Sequence, residues 1–359
     1  MKNLILNPGS TSTKIAVYDT YAQVFTRTID HAQTELENFA SVMDQRQYRS
    51  RAIMDTCGDQ GIALTEIAAV IGIGGLLYPG VGGVYEVNDT MLRDLTAAAY
   101  GEHAANLGGV LAAEIAASLG KSAYIADPIT TDEMQEVARL SGMPDIVRNG
   151  RTHTLNQKAV AARAAKELGM PRESCNLIVA HLGGGISVAA HRGVSIVDTN
   201  NARGEGPFCM DRTGGLNAFE LAKLCYSGKY TKEQMFKRIN GGGGVVAYLN
   251  VRDFRDVIRM RGENEPTAAA VYDAMAYQIA KEIGAMAAVL RGKVDAVVFT
   301  GGISNSSAFI EEIAGYTGHI AKTLTYPGEF EMEALAAYAA QVQDGEIKPL
   351  IYQGKVDLR

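Results

Sequence analysis

The apolar positions of this chain follow two periods, and one short arrangement of them occurs twice. Leu4, Ile5 and Leu6 form an apolar run, Asn7 to Thr13 are small and hydroxyl-rich with one Pro and one Gly, and Ile15 and Val17 then alternate with Lys14 and Ala16. That is the pattern of a strand, a tight turn and a second strand. The plan recurs at Asn176-Leu177-Ile178-Val179-Ala180-His181-Leu182, a turn of Gly183, Gly184 and Gly185, and Ile186 to His191, with Asn-Leu-Ile repeated from residues 3–5. A second pair matches as well: Ala69 to Gly75 and Val297 to Ile303 are both apolar strands running into two adjacent glycines. The chain therefore reads as a duplication.

Further strands are predicted at 67–73, 82–87, 123–126 and 294–299. Period-3.6 spacing predicts helices over 34–60 (Leu36, Phe39, Val42, Met43), 91–100, 102–119 stopped by Gly120, and 155–168 ended by Gly169. A capping box at Thr231 and Gln234 opens another helix ending at Gly241, and one more begins at the serines after Ser304. The longest helix, 266–291, is opened by Pro266 and stopped by Gly292, with Tyr272, Met275, Ile279, Ile283, Met286 and Leu290 on one face. The last helix runs over 331–343, where Glu331 and Glu333 suit the positive end of its dipole. Strands alternating with helices predict an α/β protein. The polar, punctuated stretch 144–153 sets a domain boundary near residue 150.

Composition narrows the function. A chain of 359 residues has room for two domains. Its 39 glycines exceed the roughly 25 of average usage, and they gather at strand ends, where backbone can approach a ligand. A net charge of −6 argues against a nucleic-acid partner, which leaves a basic footprint. Cys57, Cys175, Cys209 and Cys225 are too scattered for a disulfide framework or a zinc site. With no leader-like start and no apolar run of membrane length, a cytoplasmic, soluble protein without a membrane partner is expected.

The two turns are candidate phosphate loops, since backbone amides and hydroxyls converging in one concavity suit phosphate oxygens. Asn7 to Lys14 is not a Walker loop, because Lys14 opens a strand and only Gly9 is present; Gly120-Lys121-Ser122 lacks the upstream glycine and is read as a helix stop. Thr300-Gly301-Gly302, between a strand and a helix, is a third nucleotide-compatible turn. Two loops, Asp198 to Phe208 and Asp211 to Gly214, combine glycines with charged side chains, the composition of functional loops. A nicotinamide-dependent dehydrogenase would need G-x-G-x-x-G, and the candidates fail at the last glycine, with Val188 after Gly183 and Gly185 and Leu77 after Gly72 and Gly74.

Seven motifs in order, Asn7 to Lys14, Gly101-Glu102-His103-Ala104-Ala105-Asn106, Asp127-Pro128 with Asp132-Glu133-Met134, His153-Thr154-Leu155-Asn156-Gln157-Lys158, Val179 to Ser187, Ala276 to Lys281 and Thr300-Gly301-Gly302, span nearly the whole chain. Together they resemble the butyrate kinase branch of the acetate and butyrate kinase family, in the superfamily of sugar kinases, heat-shock ATPases and actin. The resemblance implies two duplicated ribonuclease-H-like domains with a nucleotide cleft between them: residues 1–149 with a C-terminal return over 331–359 on the acid side, and 150–330 on the nucleotide side. It implies ATP/ADP, Mg²⁺, a homodimer, and reversible phosphoryl transfer to a short-chain carboxylic acid such as butyrate. It further implies Arg212, His181, His103, His153 and Asp127 at the reacting group. Asn7, Ser10, Thr11, Ser12, Lys14, Gly183, Gly184, Gly185, Asp253, Arg255, Gly301 and Gly302 would lie along the nucleotide, and Asn7, Asp127 and Glu331 at the metal.

One departure stands out. Where the family carries an arginine after the first-half strand, this chain has Ile73 in Gly72-Ile73-Gly74-Gly75-Leu76-Leu77; one preorganised donor is worth on the order of 2 to 4 kcal/mol of transition-state stabilisation. Arg203 is a candidate to supply the missing charge. The alternative is an ATP-binding relative with impaired or altered transfer.

Overall fold

The computed structural model describes residues 1–355. Twelve strands are found among them: β1 Lys2–Pro8, β2 Ser12–Asp19, β3 Ala22–Asp30, β4 Ile67–Ile73, β5 Val84–Glu86, β6 Ser122–Ala126, β7 Asn176–Leu182, β8 Ile186–Arg192, β9 Ser195–Thr199, β10 Ala296–Gly301, β11 Thr323–Pro327 and β12 Leu350–Ile351. They form two sheets, in the orders β12-β5-β6-β4-β1-β2-β3 and β11-β10-β7-β8-β9. In the first, β1 and β2 are antiparallel, as are β2 and β3, while β1, β4 and β6 run parallel. The second repeats this with β7, β8 and β9 as the meander and β10 and β11 as the parallel strands. The duplication read from the sequence is thus a repeated five-strand topology.

The pairing follows from the side chains. Leu4 faces Val17 and Leu6 faces Ile15 across β1 and β2, placing four apolar groups on one face of the first sheet, where they pack on Leu107, Leu111 and Ile115 of the helix Asn106–Leu119. In the second sheet β7 and β10 are buried on both faces, and the helix Pro266–Val289 lays Met275, Ile279, Ile283 and Met286 onto the core. No helix among the described residues is long and apolar enough to cross a membrane.

The chain divides into two compact units, Met1–Asp132 with Phe330–Arg359, and Glu133–Glu329. The boundary expected near residue 150 therefore lies earlier. Glu133 accepts from Lys158 Nζ at 2.7 Å and from the Ile196 amide at 2.8 Å, and the Gln135 amide donates to the Val197 carbonyl, so the segment after Asp132 is anchored on β9. The punctuation at 144–153 marks a surface loop within the second unit. Of the expected C-terminal return, residues 356–359 lie outside the described residues.

The continuous helix expected over 34–60 is broken into Gln33–Leu36, a 3₁₀ turn Met43–Gln45, and Arg46–Asp59. Asp44 accepts from both the hydroxyl and the amide of Ser41, and Glu102 Oε1 takes the Val42 amide at 2.9 Å, so these donors serve side chains instead of a helix ladder. The helix expected from residue 102 starts at Asn106, because the Asn106 side chain is used on the preceding loop: Nδ2 donates to the Gly101 carbonyl and Oδ1 accepts the Leu76 amide. The edge strand β3 carries no clean alternation in the sequence, because only Phe25 and Ile29 of it pack on the core while the rest is exposed.

Two glycines set how closely the helix Asn106–Leu119 lies on β4. A Cβ on Gly72 would come 2.2 Å from the Gly108 carbonyl oxygen, and one on Gly108 would come 2.2 Å from the Ile73 carbonyl oxygen. Both obstacles are backbone, so neither can swing away. Gly108→Ala is expected to lower the unfolding free energy by about 2 to 3 kcal/mol through overpacking; a urea midpoint equal to the wild type would refute the contact.

Candidate functional site

In the second unit β7 ends at Leu182, just past His181, and β8 starts at Ile186, and the intervening glycines carry the site. The Gly183 amide donates to the Gly185 carbonyl and closes the turn at 3.1 Å. A Cβ on Gly185 would meet Arg212 Nη1 at 2.8 Å and His153 Cε1 at 3.4 Å, and one on Gly183 would meet His181 Nε2 at 3.0 Å. Missing side chains on this turn are therefore what lets a guanidinium and two imidazoles converge on its backbone. His153 stacks on His181 with centroids 3.8 Å apart and an interplanar angle of 7°.

Burial, together with the Arg212 charge, pulls the His153 imidazole down to about 4, and burial with the neighbouring His153 ring holds His181 well below the usual range. Both rings are neutral near pH 7. Arg212 donates from Nη1 to the Ala202 carbonyl at 2.9 Å, while its Nε is buried with no hydrogen-bond partner among the described residues. Asp211 Oδ1 lies 3.6 Å from that nitrogen. A buried guanidinium nitrogen left unmatched beside a bare glycine turn is the arrangement an anionic oxygen would complete.

The same turn borders a cavity of about 690 Å³ lined by Gly183, Gly184, Asp253, Arg255, Gly302 and Asn305, among others. That volume suits a small-molecule ligand. Asp253 caps the helix Phe254–Gly262 through the Arg255 amide and pairs with the Arg255 guanidinium, which together hold its carboxyl down at about 2. Gly301 does not line the cavity; it packs on β7, where a Cβ would come 2.4 Å from the Leu182 carbonyl oxygen, at a φ of +87°. Arg203 is exposed on the loop after β9.

The first unit holds the other candidates. Asn7 Nδ2 donates to Glu331 Oε2 at 2.7 Å, pairing the end of β1 with the first turn of the helix Glu331–Gln343. Lys14 faces Asn7 across the β1–β2 ladder and is exposed, as are Ser10 and Thr11, with Ser12 half-buried. His103 is exposed ahead of the helix Asn106–Leu119, its Nδ1 accepting the Ala105 amide at 3.2 Å. Asp127 lies inside the first unit. It is 2% exposed, at a φ of +39°, and its carboxylate accepts from the Gly83 amide at 2.8 Å and from Tyr338 Oη at 2.6 Å. Each carboxylate oxygen thus takes one bond inside the unit and keeps a second acceptor site. Ile73 is buried at the end of β4.

The sequence reading missed Arg49. This fully buried guanidinium donates to the carbonyls of Gly9, Ser10 and Ser12, to Thr13 Oγ1, and to Gln45 Oε1. No carboxylate is among these partners. Drawing the carbonyls of the β1–β2 turn beneath the loop leaves its hydroxyls toward solvent, and the unpaired charge favours an anion above. The signal was present: Arg49, Ile53 and Cys57 at i, i+4 and i+8 are the buried stripe of their helix.

Residues 131–319 match the acetokinase family. Butyrate kinase 1 of Clostridium acetobutylicum is 46% identical over 351 residues, covering 98% of this chain and 99% of that protein, and the probable butyrate kinase 2 of Caldanaerobacter subterraneus subsp. tengcongensis is likewise 46% identical over 351 residues, covering the same shares of each chain. Among solved structures, the acetate kinase of Porphyromonas gingivalis superposes with a TM-score of 0.75 at 20% identity, over 95% of this chain and 99% of that one, a likeness of fold: the duplicated actin-like ATPase fold. With near-full-length identity and a repeated five-strand topology in agreement, the chain belongs to the acetokinase family.

Proposed function

We propose that the chain is a butyrate kinase, moving the γ-phosphoryl group of ATP reversibly to the carboxylate of butyrate or a close homologue, with the acyl phosphate and ADP as products. The observation that carries this reading is the glycine turn of the second unit, which borders the 690 Å³ cavity and also gathers Arg212, His153 and His181. The acceptor is supported by relatives named butyrate kinase at about 46% identity. The impaired-transfer alternative has no support from these relatives.

A carboxylate is already ionised at neutral pH and needs no general base, so the protein's work is alignment and charge neutralisation. Arg212 takes the equatorial oxygens of the transferring group with its unmatched Nε, and the two neutral imidazoles add N–H donors without adding charge. In the first unit, exposed His103, whose Nδ1 accepts the Ala105 amide, offers Nε2 as a donor. Gly183, Gly184 and Gly302 leave room for the nucleotide in the cavity, with Asp253 and Arg255 at its rim. The β1–β2 turn, with Ser10, Thr11, Ser12 and Lys14 above buried Arg49, offers a second set of donors to phosphate oxygens. Asn7 and Glu331 are adjacent oxygen donors of the kind that hold Mg²⁺ through its waters, and no group of three or more His, Cys, Asp or Glu among the described residues forms a protein cage for a metal. When bound, Mg²⁺ would neutralise phosphate charge. A homodimer in the cytoplasm belongs to the same reading, and the exposed Phe219, Tyr226, Phe236 and Tyr248 of the second unit support a surface for a second copy.

Purified protein given Mg-ATP and two- to six-carbon acids, with acyl phosphate trapped as hydroxamate, is expected to peak at four or five carbons, and Arg212→Ala to lose about 10²- to 10³-fold in kcat. ATP binding without turnover on any acid would sink the assignment.

The histidine environment gives a second expectation. With His153 at about 4 and His181 well below its usual value, kcat holds level from pH 8 to pH 6, through the region near 6.5 where a free imidazole would charge. Below about 6.5 the unfolded chain takes up protons that the folded rings refuse, so the unfolding free energy falls as pH drops toward 4, by up to about 1.4 kcal/mol per pH unit for each such histidine. An inflection of kcat near 6.5 would show that one of the rings is solvated.

A further inference from the structure

Two hydrogen-bond chains in the second unit end on the stacked imidazoles, and each begins at a group that can play only one part. Arg172 can only donate. Its Nη2 lies 3.1 Å from His191 Nδ1, so that nitrogen is an acceptor and a neutral His191 carries its proton on Nε2. Nε2 then donates to Gln157 Oε1 at 3.1 Å. This orients the amide, whose nitrogen donates to Ser187 Oγ at 2.8 Å and to the Ser187 carbonyl at 3.2 Å. With its oxygen accepting from Gln157 Nε2 and, at 3.5 Å, from the His153 amide, the Ser187 hydroxyl has only its proton left to give His153 Nδ1 at 2.8 Å. His153 must therefore hold its own proton on Nε2. Reversing the Gln157 amide would leave His191 accepting at both nitrogens, which a neutral imidazole cannot do.

The second chain starts at a carbonyl, which can only accept. Thr300 Oγ1 donates to the Gly328 carbonyl at 3.1 Å, so it faces Asn156 as an acceptor and takes the amide nitrogen at 3.2 Å. The same nitrogen donates to His181 Nδ1 at 2.9 Å. His181, like His153, is left with its proton on Nε2, the atom 3.0 Å from where a Cβ on Gly183 would stand. The Gln157, Ser187, His191, Asn156 and Thr300 side chains are all buried, so water does not compete for these bonds.

We propose that Arg172, His191, Gln157 and Ser187 along one chain, and Thr300 and Asn156 along the other, are positioning residues that lock His153 and His181 as Nε2–H donors toward the glycine turn. The opposite tautomer would set a lone pair against the oxygens of a phosphoryl group, turning an attraction into a repulsion. This rests on the reading of the turn as the place of the transferring phosphoryl group, but the tautomers themselves can be measured without any activity.

The test is a long-range ¹H–¹⁵N correlation spectrum of the full chain labelled with ¹⁵N-histidine, with His153→Gln and His181→Gln used for assignment. His153, His181 and His191 are each expected to show a protonated Nε2 and an unprotonated Nδ1 at pH 7. A proton on Nδ1 of His153 or His181, or a charged ring, overturns the proposal. Arg172→Met removes the group that sets the direction of the first chain: the His153 nitrogens should move toward a mixture of tautomers, with kcat falling on the order of tenfold and KM for ATP within about twofold. Arg172→Lys, which still donates, should restore both. If Arg172→Met leaves the His153 shifts as in the wild type, the chain does not set the tautomer and the proposal fails. Should no acid be phosphorylated by the wild type, the kinase reading fails while the spectrum still decides the tautomers.

Discussion

His153 lies flat on His181 with 3.8 Å between ring centres, and the Arg212 guanidinium stands on the same glycine turn. Two charged rings at that distance would repel by about 4 kcal/mol even at an effective dielectric of about 20, and Arg212 would add to it. The stack exists only because both rings are neutral. Much of the second unit follows from that constraint. The rings must be withdrawn from water, so they sit at the ends of buried chains of Asn, Gln, Ser and Thr. Gly183 and Gly185 of the turn between β7 and β8 are set by the same need, because side chains there would crowd the imidazoles and the guanidinium. One positive charge then remains, on Arg212, opposite whatever anion the turn receives.

The two copies of the hairpin solve the same problem differently. In the first unit the turn after β1 keeps its hydroxyls, and the cation lies beneath it, buried and bonded to three backbone carbonyls of the loop. In the second unit the turn is stripped to glycine and the cation lies beside it, with an unmatched nitrogen. A buried guanidinium held by carbonyls fixes a loop and biases its potential; one with an N–H outside any hydrogen bond keeps donor capacity for an oxygen. Shared topology with different turn chemistry is what a duplicated chain permits.

The sequence made the frame legible where period and punctuation agree. The strands β4 and β7, the capping box at Thr231, the stops at Gly120 and Gly169 and the last helix all carry local signals that the structure satisfies. The glycine turn and Arg212 could be singled out because their residue types are unusual in context. The rest depends on tertiary partners. Glu102 taking the Val42 amide breaks a helix that 34–60 would otherwise form, and Lys158 claiming Glu133 moves a domain boundary; neither partner is near in sequence. Arg49 and His191 act through bonds to distant backbone and side chains, and an arginine within a polar helix looks like surface until its partners are known. Asp127 shows the converse. An acid before a proline at a strand end reads as a ligand, and only the structure shows Gly83 and Tyr338 already on it.

That occupied carboxylate bears on how the first unit is closed. The helix Glu331–Gln343 returns from the far end of the chain and is pinned by polar bonds at both ends and between: Glu331 to Asn7, Tyr338 to Asp127, and Gln343 to Asn3. Asn3 and Asn7 are four residues apart on a strand, roughly 13 Å, whereas Glu331 and Gln343 are twelve apart on a helix, roughly 18 Å. The side chains take up the difference, so the helix lies antiparallel along β1 with both of its ends fixed. The register of Glu331 against Asn7 is then set by contacts well away from either residue. Asp127 is one of those contacts. Its left-handed backbone conformation, unusual for a residue other than glycine, is maintained because the Gly83 amide and the Tyr338 hydroxyl both require the carboxylate where it stands.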